Sequence, residues 1–472
     1  MKPEISIYLT LIALILLLPP ASATTEITVH NPNYGGCVLL IIDGLGSSYC
    51  YPEFTPRALD NSTSGRANCT TLLAVAESGM RIIDVCAPVT STAPGHSVIV
   101  TGCADATPGI VARGTTIFDI AHDNGYFCAG VMENGDFSEM CDELDVILHV
   151  KKNSINDPGV VVDRHPHNRL YDDVSMNIAG LMENWNNTTK YLGDKKGALR
   201  YIAYNRWAID ASDAVIRSLA LNEVPFLLII NVGAVDSAGH HLGASGYLDV
   251  INGTDGAVMK LYQTCTDHDL LFILTADHGM GFATSGAVRG GHVSDKYAEH
   301  PESQRIPLLF SGNGIMWGTI ASGGQEDIAP TLLSQMGLPV VSCDGNPLPV
   351  GGYADLRVMA GSIADVEVRG CGDVVRGTSD SEFLFRGLDA GCNYTIRVTG
   401  GGRADEHEIF LDSDCVVDCS VAGKAVVSVV SGTPDQTGEL RGDGQKRILR
   451  VAVPIILINL VGMLLIIRIM RD

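Results

Sequence analysis

Apolar strands that alternate with helical segments are the feature that most constrains the fold of this chain. The segments "CVLLIIDGLG" (37–46), "PFLLIINVG" (225–233) and "LLFILTADHG" (270–279) begin with continuous apolar runs. Strands of this kind are buried on both faces. Helical periodicity recurs between them, as at 205–222 and about 246–264. The pattern predicts an α/β fold with a mostly parallel sheet and helices on both of its faces.

Changes of pattern along the chain predict its domains. The strand–helix alternation runs through 35–345, where we expect one large domain. The polar stretch at about 151–200 interrupts this rhythm and indicates an insertion or cap over the edge of the sheet. From 355 to 440, short alternating strands with glycine turns predict a small membrane-proximal β domain.

The two ends of the chain predict export and membrane anchoring. Residues 1–23 place an apolar stretch before a small-residue triplet, which is the order of a secretory signal peptide; an uncleaved anchor is the alternative. The apolar segment 448–467 would measure about 30 Å as a helix, the thickness of the hydrocarbon core. We therefore expect a single-pass protein of the cell membrane, with its catalytic domain on the extracytoplasmic side.

Charge and cysteine content restrict the partners and the compartment. The formal net charge is −22, which argues against nucleic acid and anionic lipid as partners. Thirteen cysteines fit an oxidising compartment, and the odd count leaves at least one unpaired. Sequons give weak support for a glycoprotein. They lie at Asn61, Asn68, Asn186 or Asn187, Asn252 and Asn393.

Three aspartates lie at or just beyond the ends of apolar strands: Asp43 in "LIIDG", Asp236 in "NVGAVDS" and Asp277 in "LTADHG". In an open α/β sheet, ligands bind beyond the carboxyl ends of the strands. Three clustered carboxylates without a cation would cost several kcal/mol in repulsion and desolvation. The sequence therefore predicts a metal site, although turn and helix-cap aspartates remain the structural alternative.

Histidines complete the predicted ligand set. His240, His278 and His292 bring the total to six oxygen or imidazole ligands, which is the count for two metal ions. Mixtures of Asp and His suit Zn²⁺, and Mn²⁺ is the alternative. His241 and His300 are rival ligands of second rank.

The segment "PVTSTAPGHSVIVTG" (88–102) offers a nucleophile for such a site. Thr92 precedes Pro94 and a run with helical character, so we expect its hydroxyl at a helix N-terminus, where anions are stabilised. Coordination to a metal would lower the pKa of this hydroxyl and allow it to attack. The alternative is that Thr92 is only an N-cap.

Together the motifs "IIDG", "TSTAPGHSVIVTG", "DSAGHHLG", "TADHG" and "GGH" resemble the alkaline phosphatase superfamily, over about residues 35–340. The nearest branches are the nucleotide pyrophosphatase/phosphodiesterases and the cofactor-independent phosphoglycerate mutases. The resemblance implies transfer of a phosphoryl group from a small phosphate ester to the threonine and then to water. It also implies two zinc sites, formed by Asp236, His240 and His292, and by Asp43, Thr92, Asp277 and His278.

Two positions depart from the phosphodiesterase branch. Pro108 in "ATPGIVARG" stands where that branch usually has a histidine, and Arg113 lies where it places an asparagine that touches the phosphate. A guanidinium at this position would favour monoesters, which carry more negative charge than diesters. The alternative is that Arg113 lies on a solvated loop.

Two other functions compete with that of a phosphomonoesterase or phosphodiesterase. A sulfatase of the same superfamily would need a Cys or Ser in a C/S-x-P-x-R context, which "TAPGH" does not supply. The third function is that of a cell-surface binding protein built on a degenerate enzyme fold. The intact set of predicted ligands argues against this function. The substrate, the disulfide connectivity and the oligomeric state cannot be predicted from the sequence.

Overall fold

The computed structural model describes residues 24–29, 35–133, 138–152, 154–341, 343–411, 415–421 and 424–429. The predicted signal peptide at 1–23 lies outside these residues. The helices in chain order are α1 (Thr70–Ala76), α2 (Thr92–Thr101), α3 (Pro108–Val111), α4 (Ile117–Asp123), α5 (Ser138–Cys141), α6 (Asp172–Glu183), α7 (Thr189–Leu192), α8 (Ala198–Leu221), α9 (Ala234–Asp267), α10 (Asp295–Ala298), α11 (Pro301–Gln304) and α12 (Ile328–Gln335). Short 3₁₀ helices lie at Ser47–Tyr49, Arg169–Tyr171 and Gln325–Asp327.

The strands up to the middle of the chain are β1 (Thr25–Thr28), β2 (Gly36–Ile42), β3 (Met80–Cys86), β4 (Phe127–Met132), β5 (Val146–Val150), β6 (Val160–Arg164), β7 (Phe226–Val232), β8 (Leu271–Thr275) and β9 (Gly281–Phe282). The later strands are β10 (Gly290–Gly291), β11 (Arg305–Ser311), β12 (Gly318–Gly324), β13 (Tyr353–Gly370), β14 (Asp373–Asp389), β15 (Cys392–Gly400), β16 (Arg403–Leu411), β17 (Cys415–Val421) and β18 (Lys424–Val429). Strands β9 and β10 form a small hairpin-like pair.

The central sheet has the strand order β12-β3-β11-β8-β2-β7-β4-β5-β6. Strands β8, β2, β7, β4 and β5 run parallel to one another. Strands β2, β4, β7 and β8 are buried along their whole length, as expected for strands covered on both faces. The mixed α/β fold that the sequence predicts is therefore confirmed.

Two strands of this sheet run against the others. Strand β11 pairs antiparallel with both β3 and β8, and β6 pairs antiparallel with β5 at the edge of the sheet. The sequence of β11 does not reveal this direction, because a buried apolar strand has the same pattern whether it runs parallel or antiparallel.

A second sheet is built from β1 and from the strands β13–β18. It has a hydrophobic core of its own, which includes Leu356, Val358, Phe383, Phe385 and Ile396. Strand β1 pairs in parallel with β14, so residues near the start of the described chain join the sheet formed by its C-terminal part. The domain boundaries given above stay predictions.

No helix among the described residues is both long and apolar enough to cross a membrane. The two longest, α8 and α9, both contain Asp together with Arg or Lys, and these charged side chains are costly in hydrocarbon. This finding contradicts the predicted C-terminal transmembrane helix and the predicted single-pass location at the cell membrane. The segment 448–467, on which that prediction rested, lies outside the described residues.

Two disulfides join described residues, and one of them connects distant parts of the chain. Cys103 pairs with Cys343, and Cys371 pairs with Cys392. The first bond joins the chain just after α2 to the segment that follows α12, across a sequence separation of 240 residues. The end of α2 is therefore tied to the last part of the central α/β region.

Candidate metal centre

Asp43, Asp236 and Asp277 converge at one edge of the central sheet. Asp43 directly follows β2, Asp277 follows β8 by two residues, and Asp236 lies in the first turn of α9, just after β7. Because β8, β2 and β7 are neighbouring parallel strands, their carboxyl ends lie side by side. The Asp236 backbone N–H donates to the carbonyl of Asp43 at 3.0 Å, which holds two of the three turns together.

Glycines allow the backbone to come close to these aspartates. Gly44 has a φ of +75°, and a Cβ atom at this position would lie 2.7 Å from Asp236. A Cβ atom at Gly95 of α2 would lie 2.7 Å from the backbone oxygen of Asp277. Neither position has room for a side chain, and the conformation of Gly44 is itself one that other residues rarely adopt.

Three histidines present the same ring nitrogen to the aspartates. In each, Nδ1 lies close to a backbone carbonyl, which can only accept a hydrogen bond, so in the neutral tautomer Nδ1–H is the donor and Nε2 has the lone pair. Metal-binding histidines are usually oriented in this way. The pairs are His292 with Thr90 at 2.7 Å, His278 with Gly279 at 3.0 Å and His240 with Gly290 at 3.3 Å.

One group of side chains has the spacing of a zinc site. The Oδ1 atom of Asp236 lies 3.4 Å from His240 Nε2 and 3.3 Å from His292 Nε2, and these two nitrogens are 3.0 Å apart. Tetrahedral ligands at about 2.0–2.1 Å from Zn²⁺ would be roughly 3.3 Å from each other. The three side chains therefore fit one divalent ion.

A second group surrounds the Nε2 atom of His278. It lies 3.3 Å from Asp277 Oδ2, 3.6 Å from Asp43 Oδ1 and 3.2 Å from the hydroxyl of Thr92. The rings of His278 and His292 stack with their centroids 3.7 Å apart, so the two groups adjoin. The structure thus brings together all seven side chains that the resemblance implied as ligands.

The protonation of Asp277 and of His292 suits a cation. The Oδ1 atom of Asp236 and the Oδ2 atom of Asp277 are buried without a hydrogen bond of good geometry. Burial raises the pKa of Asp277, but the nearby His278 and His96 rings outweigh burial and hold that pKa well below its usual range. Burial and then the neighbouring His278 lower the pKa of His292 to about 4, which keeps its imidazole neutral.

Thr92 is the first residue of α2, and Ser91 occupies the N-cap position. The alternative that Thr92 is itself the N-cap is therefore wrong. The half-buried hydroxyl of Thr92 lies at the positive end of the helix dipole, where backbone N–H groups stabilise an anion.

His96 is a residue of this centre that the sequence analysis did not single out. Its Nδ1 lies 2.9 Å from the carbonyl of Thr92 and 3.4 Å from Asp277 Oδ2, and its Nε2 lies 2.6 Å from Asn231 Nδ2. The ring is buried, and it contacts both the backbone of Thr92 and the side chain of Asp277. Its position four residues after Thr92, one helical turn further on, was the available signal.

The remaining candidates lie elsewhere or have other partners. His300 Nδ1 lies 2.9 Å from Glu302 Oε2, and His241 is exposed at the rim of a cavity. Arg113 is exposed just after α3. In the part of the chain that the structure describes, no recorded hydrogen bond or ion pair joins Arg113 to the centre.

A cavity of about 260 Å³ opens beside the first group of ligands. Asp236 and His240 line it, together with the neighbouring Ser237 and His241. The other walls come from Tyr201 of α8 and from residues of the polar stretch at 151–200. These wall residues are Ser154, Ile155 and Asn156. Most of these groups offer polar atoms to a ligand.

Part of the chain, including most of this site, is similar to known proteins. The model of the Metalloenzyme superfamily matches residues 164–340, which include Asp236, His240, Asp277, His278 and His292. The resemblance to the alkaline phosphatase superfamily is confirmed. Asp43 and Thr92 precede the matched residues of the superfamily model.

Curated proteins similar to this chain include 2,3-bisphosphoglycerate-independent phosphoglycerate mutases. That of Brugia malayi is 26% identical over 141 residues, covering 29% of this chain and 26% of its own. That of Caenorhabditis elegans is 28% identical over 134 residues, covering 28% of this chain and 24% of its own. The chain thus spans about a quarter of the length of these relatives.

Solved structures similar to this chain include two further proteins. Wild-type alkaline phosphatase PafA is 14% identical with a TM-score of 0.46, covering 68% of this chain and 100% of its own. Murine ectonucleotide pyrophosphatase/phosphodiesterase 5 is 12% identical with a TM-score of 0.40, covering 66% of this chain and 97% of its own.

Proposed function

We propose that this protein is a metal-dependent phosphoric ester hydrolase in which Thr92 is the nucleophile. The observation that carries the proposal is the position of the Thr92 hydroxyl. It lies 3.2 Å from His278 Nε2, at the N-terminus of α2 and next to two groups of Asp and His side chains. A phosphate ester held between these two groups would lie beside this hydroxyl and the anion-binding end of the helix.

Two divalent cations, Zn²⁺ in the first place and Mn²⁺ as the alternative, fit the available donors. Asp236, His240 and His292 would hold one of them. Asp43, Thr92, Asp277 and His278 would hold the other. When bound, such cations lower the pKa of a coordinated hydroxyl and neutralise charge on the phosphate.

The proposed reaction has two steps. Thr92 Oγ1 forms a bond to phosphorus as the bond to the alcohol oxygen breaks, and the alcohol leaves with the proton that the hydroxyl releases. Water then cleaves the phosphothreonine, which restores the Thr92 hydroxyl and releases inorganic phosphate. The backbone N–H groups at the start of α2 stabilise the phosphate in both steps, and His96 keeps Asp277 in place.

Variants of Thr92 test this proposal. Thr92→Ala removes the attacking oxygen and should abolish hydrolysis of p-nitrophenyl phosphate while metal content stays near wild type. Thr92→Ser keeps a hydroxyl and should retain part of the activity. The exposed Thr115 is a matched control, and Thr115→Ala should change neither activity nor metal content.

Three results would contradict the proposal. Wild-type turnover by Thr92→Ala would show that Thr92 does not attack the phosphorus. Faster turnover of p-nitrophenyl sulfate than of the phosphate would make the enzyme a sulfatase. Purified protein with neither bound metal nor any esterase activity would be a binding protein on this fold.

A further inference from the structure

A second set of metal-binding side chains lies at the other end of the central sheet. His122 is in the last turn of α4, Cys128 is near the start of β4, and Asp145 directly precedes β5. The metal centre described above lies beyond the carboxyl ends of the parallel strands, whereas these three residues lie at their amino ends. Strand β4 has six residues and spans about 20 Å, so the two sites are separate.

The three side chains converge on one point. His122, Cys128 and Asp145 each offer a ligand atom, and these atoms all lie within 4.8 Å of one another. His122 Nε2 lies 3.1 Å from Asp145 Oδ2. Nitrogen, oxygen and sulfur ligands of Zn²⁺ would be about 3.3–3.8 Å apart, so movements of roughly 1 Å bring all three to coordination distance.

Histidines surround Asp145, and no Lys or Arg of the described residues forms an ion pair with it. Its carboxylate is buried, and the ion-pair partners that the described residues provide are His122 and His167. His167 Nδ1 lies 3.4 Å from Asp145 Oδ1, and its ring stacks on that of His122 at 4.2 Å. Imidazole, thiolate and carboxylate are all ligand types that Zn²⁺ accepts in proteins.

A purely structural network is the competing explanation. Asp145 Oδ2 also accepts the backbone N–H of Cys128 at 2.9 Å, and Oδ1 accepts that of His167 at 2.8 Å. These hydrogen bonds account for the burial of the Asp145 carboxylate, but they do not involve the Cys128 thiol. Burial raises the pKa of this thiol, so it stays protonated unless a bound metal displaces the proton.

We propose that His122, Cys128 and Asp145 bind a structural Zn²⁺ ion, with His167 as a further donor. The ion would connect α4, β4 and β5. Through His167 it would also fasten the polar stretch at 151–200, which lines the cavity of the metal centre, to the sheet. The proposal rests on these residues alone and does not depend on the proposed hydrolase activity.

Cobalt substitution of the full-length protein tests the proposal. Co²⁺ bound by a thiolate has a near-ultraviolet charge-transfer band, and the Asp and His ligands of the other centre cannot produce it. We expect this band in the wild-type protein and its loss in Cys128→Ser, with one metal ion per chain lost by elemental analysis. Cys265 of α9, also buried, is the matched control, and Cys265→Ser should keep both the band and the metal.

A second variant separates this site from the metal centre. His240→Ala should reduce the metal content while leaving the charge-transfer band unchanged, whether or not the protein hydrolyses phosphate esters. Absence of the band from wild-type protein loaded with Co²⁺ would overturn the proposal. A band that persists in Cys128→Ser would overturn it as well, because another cysteine would then be the ligand.

Discussion

Replacement of His96 by phenylalanine tests how the metal centre is supported. Phenylalanine keeps the volume of the buried ring but removes both nitrogens. Asp277 Oδ2 then loses its neighbour at 3.4 Å, and the carbonyl of Thr92 loses one at 2.9 Å. The amide of Asn231 also loses its partner at 2.6 Å.

The size of the effect follows from these lost contacts. Groups that orient a metal ligand typically contribute 10- to 100-fold in metal affinity or activity. This range corresponds to about 1.4–2.8 kcal/mol, similar to the roughly 1–3 kcal/mol that an unsatisfied buried polar group costs. We therefore expect the free Zn²⁺ concentration that gives half-maximal activity to rise 10- to 100-fold in His96→Phe.

The assay is a titration of activity with buffered Zn²⁺, using p-nitrophenyl phosphate as substrate. At saturating Zn²⁺, His96→Phe should recover most of the wild-type rate, because His96 does not itself contact the substrate. His268→Phe is a control at the C-terminal end of α9, far along the chain from these contacts, and should leave the midpoint unchanged. An unchanged midpoint in His96→Phe would refute the idea that this ring positions Asp277.

The remaining predictions concern ligand, substrate and cysteine residues. His240→Ala should lose metal and activity together, because one donor of a three-residue group is gone. Full metal content of this variant by elemental analysis would show that His240 is not a metal ligand. Arg113→Asn should leave the kcat/KM ratio of aryl monoesters to methyl diesters unchanged, because the Arg113 side chain is exposed and no hydrogen bond or ion pair of the described residues joins it to the centre; a ratio smaller by about ten- to a hundredfold would show that Arg113 senses substrate charge. Cys50 and Cys69 should form a third disulfide under oxidising conditions, because their buried Sγ atoms lie 2.6 Å apart, and peptide mapping without reduction should detect the cross-linked pair.

The clustering of the candidate metal ligands could be predicted because these residues obey a rule of sheet geometry. Asp43 and Asp277 follow apolar strands, and Asp236 opens the helix after another. The carboxyl ends of parallel strands share one edge, so residues far apart in sequence meet there without any pairwise signal.

Other features depend on which strands become neighbours, and the local sequence does not contain this information. His122, Cys128 and Asp145 meet because β5 pairs with β4, and no motif marks that pairing. The addition of β1 to the second sheet has the same origin, because its four residues are compatible with many partners. The transmembrane prediction came from the hydropathy of residues 448–467 alone, and the sequence offered no contact between residues against which to check it.

The disulfide between Cys103 and Cys343 has a practical consequence for work with this protein. Cys103 follows α2 after a single glycine, and the backbone N–H of Gly345 donates to the carbonyl of Gly102 at 3.0 Å. In the simplest loop-closure account, a cross-link over a separation of 240 residues raises the free energy of the unfolded state by about 5.5 kcal/mol, because it lowers the chain entropy. Protein made in a reducing host, or assayed with thiol reagents, loses this constraint on the helix that presents Thr92. The redox history of a preparation is therefore an experimental variable that kinetic comparisons between variants must hold constant.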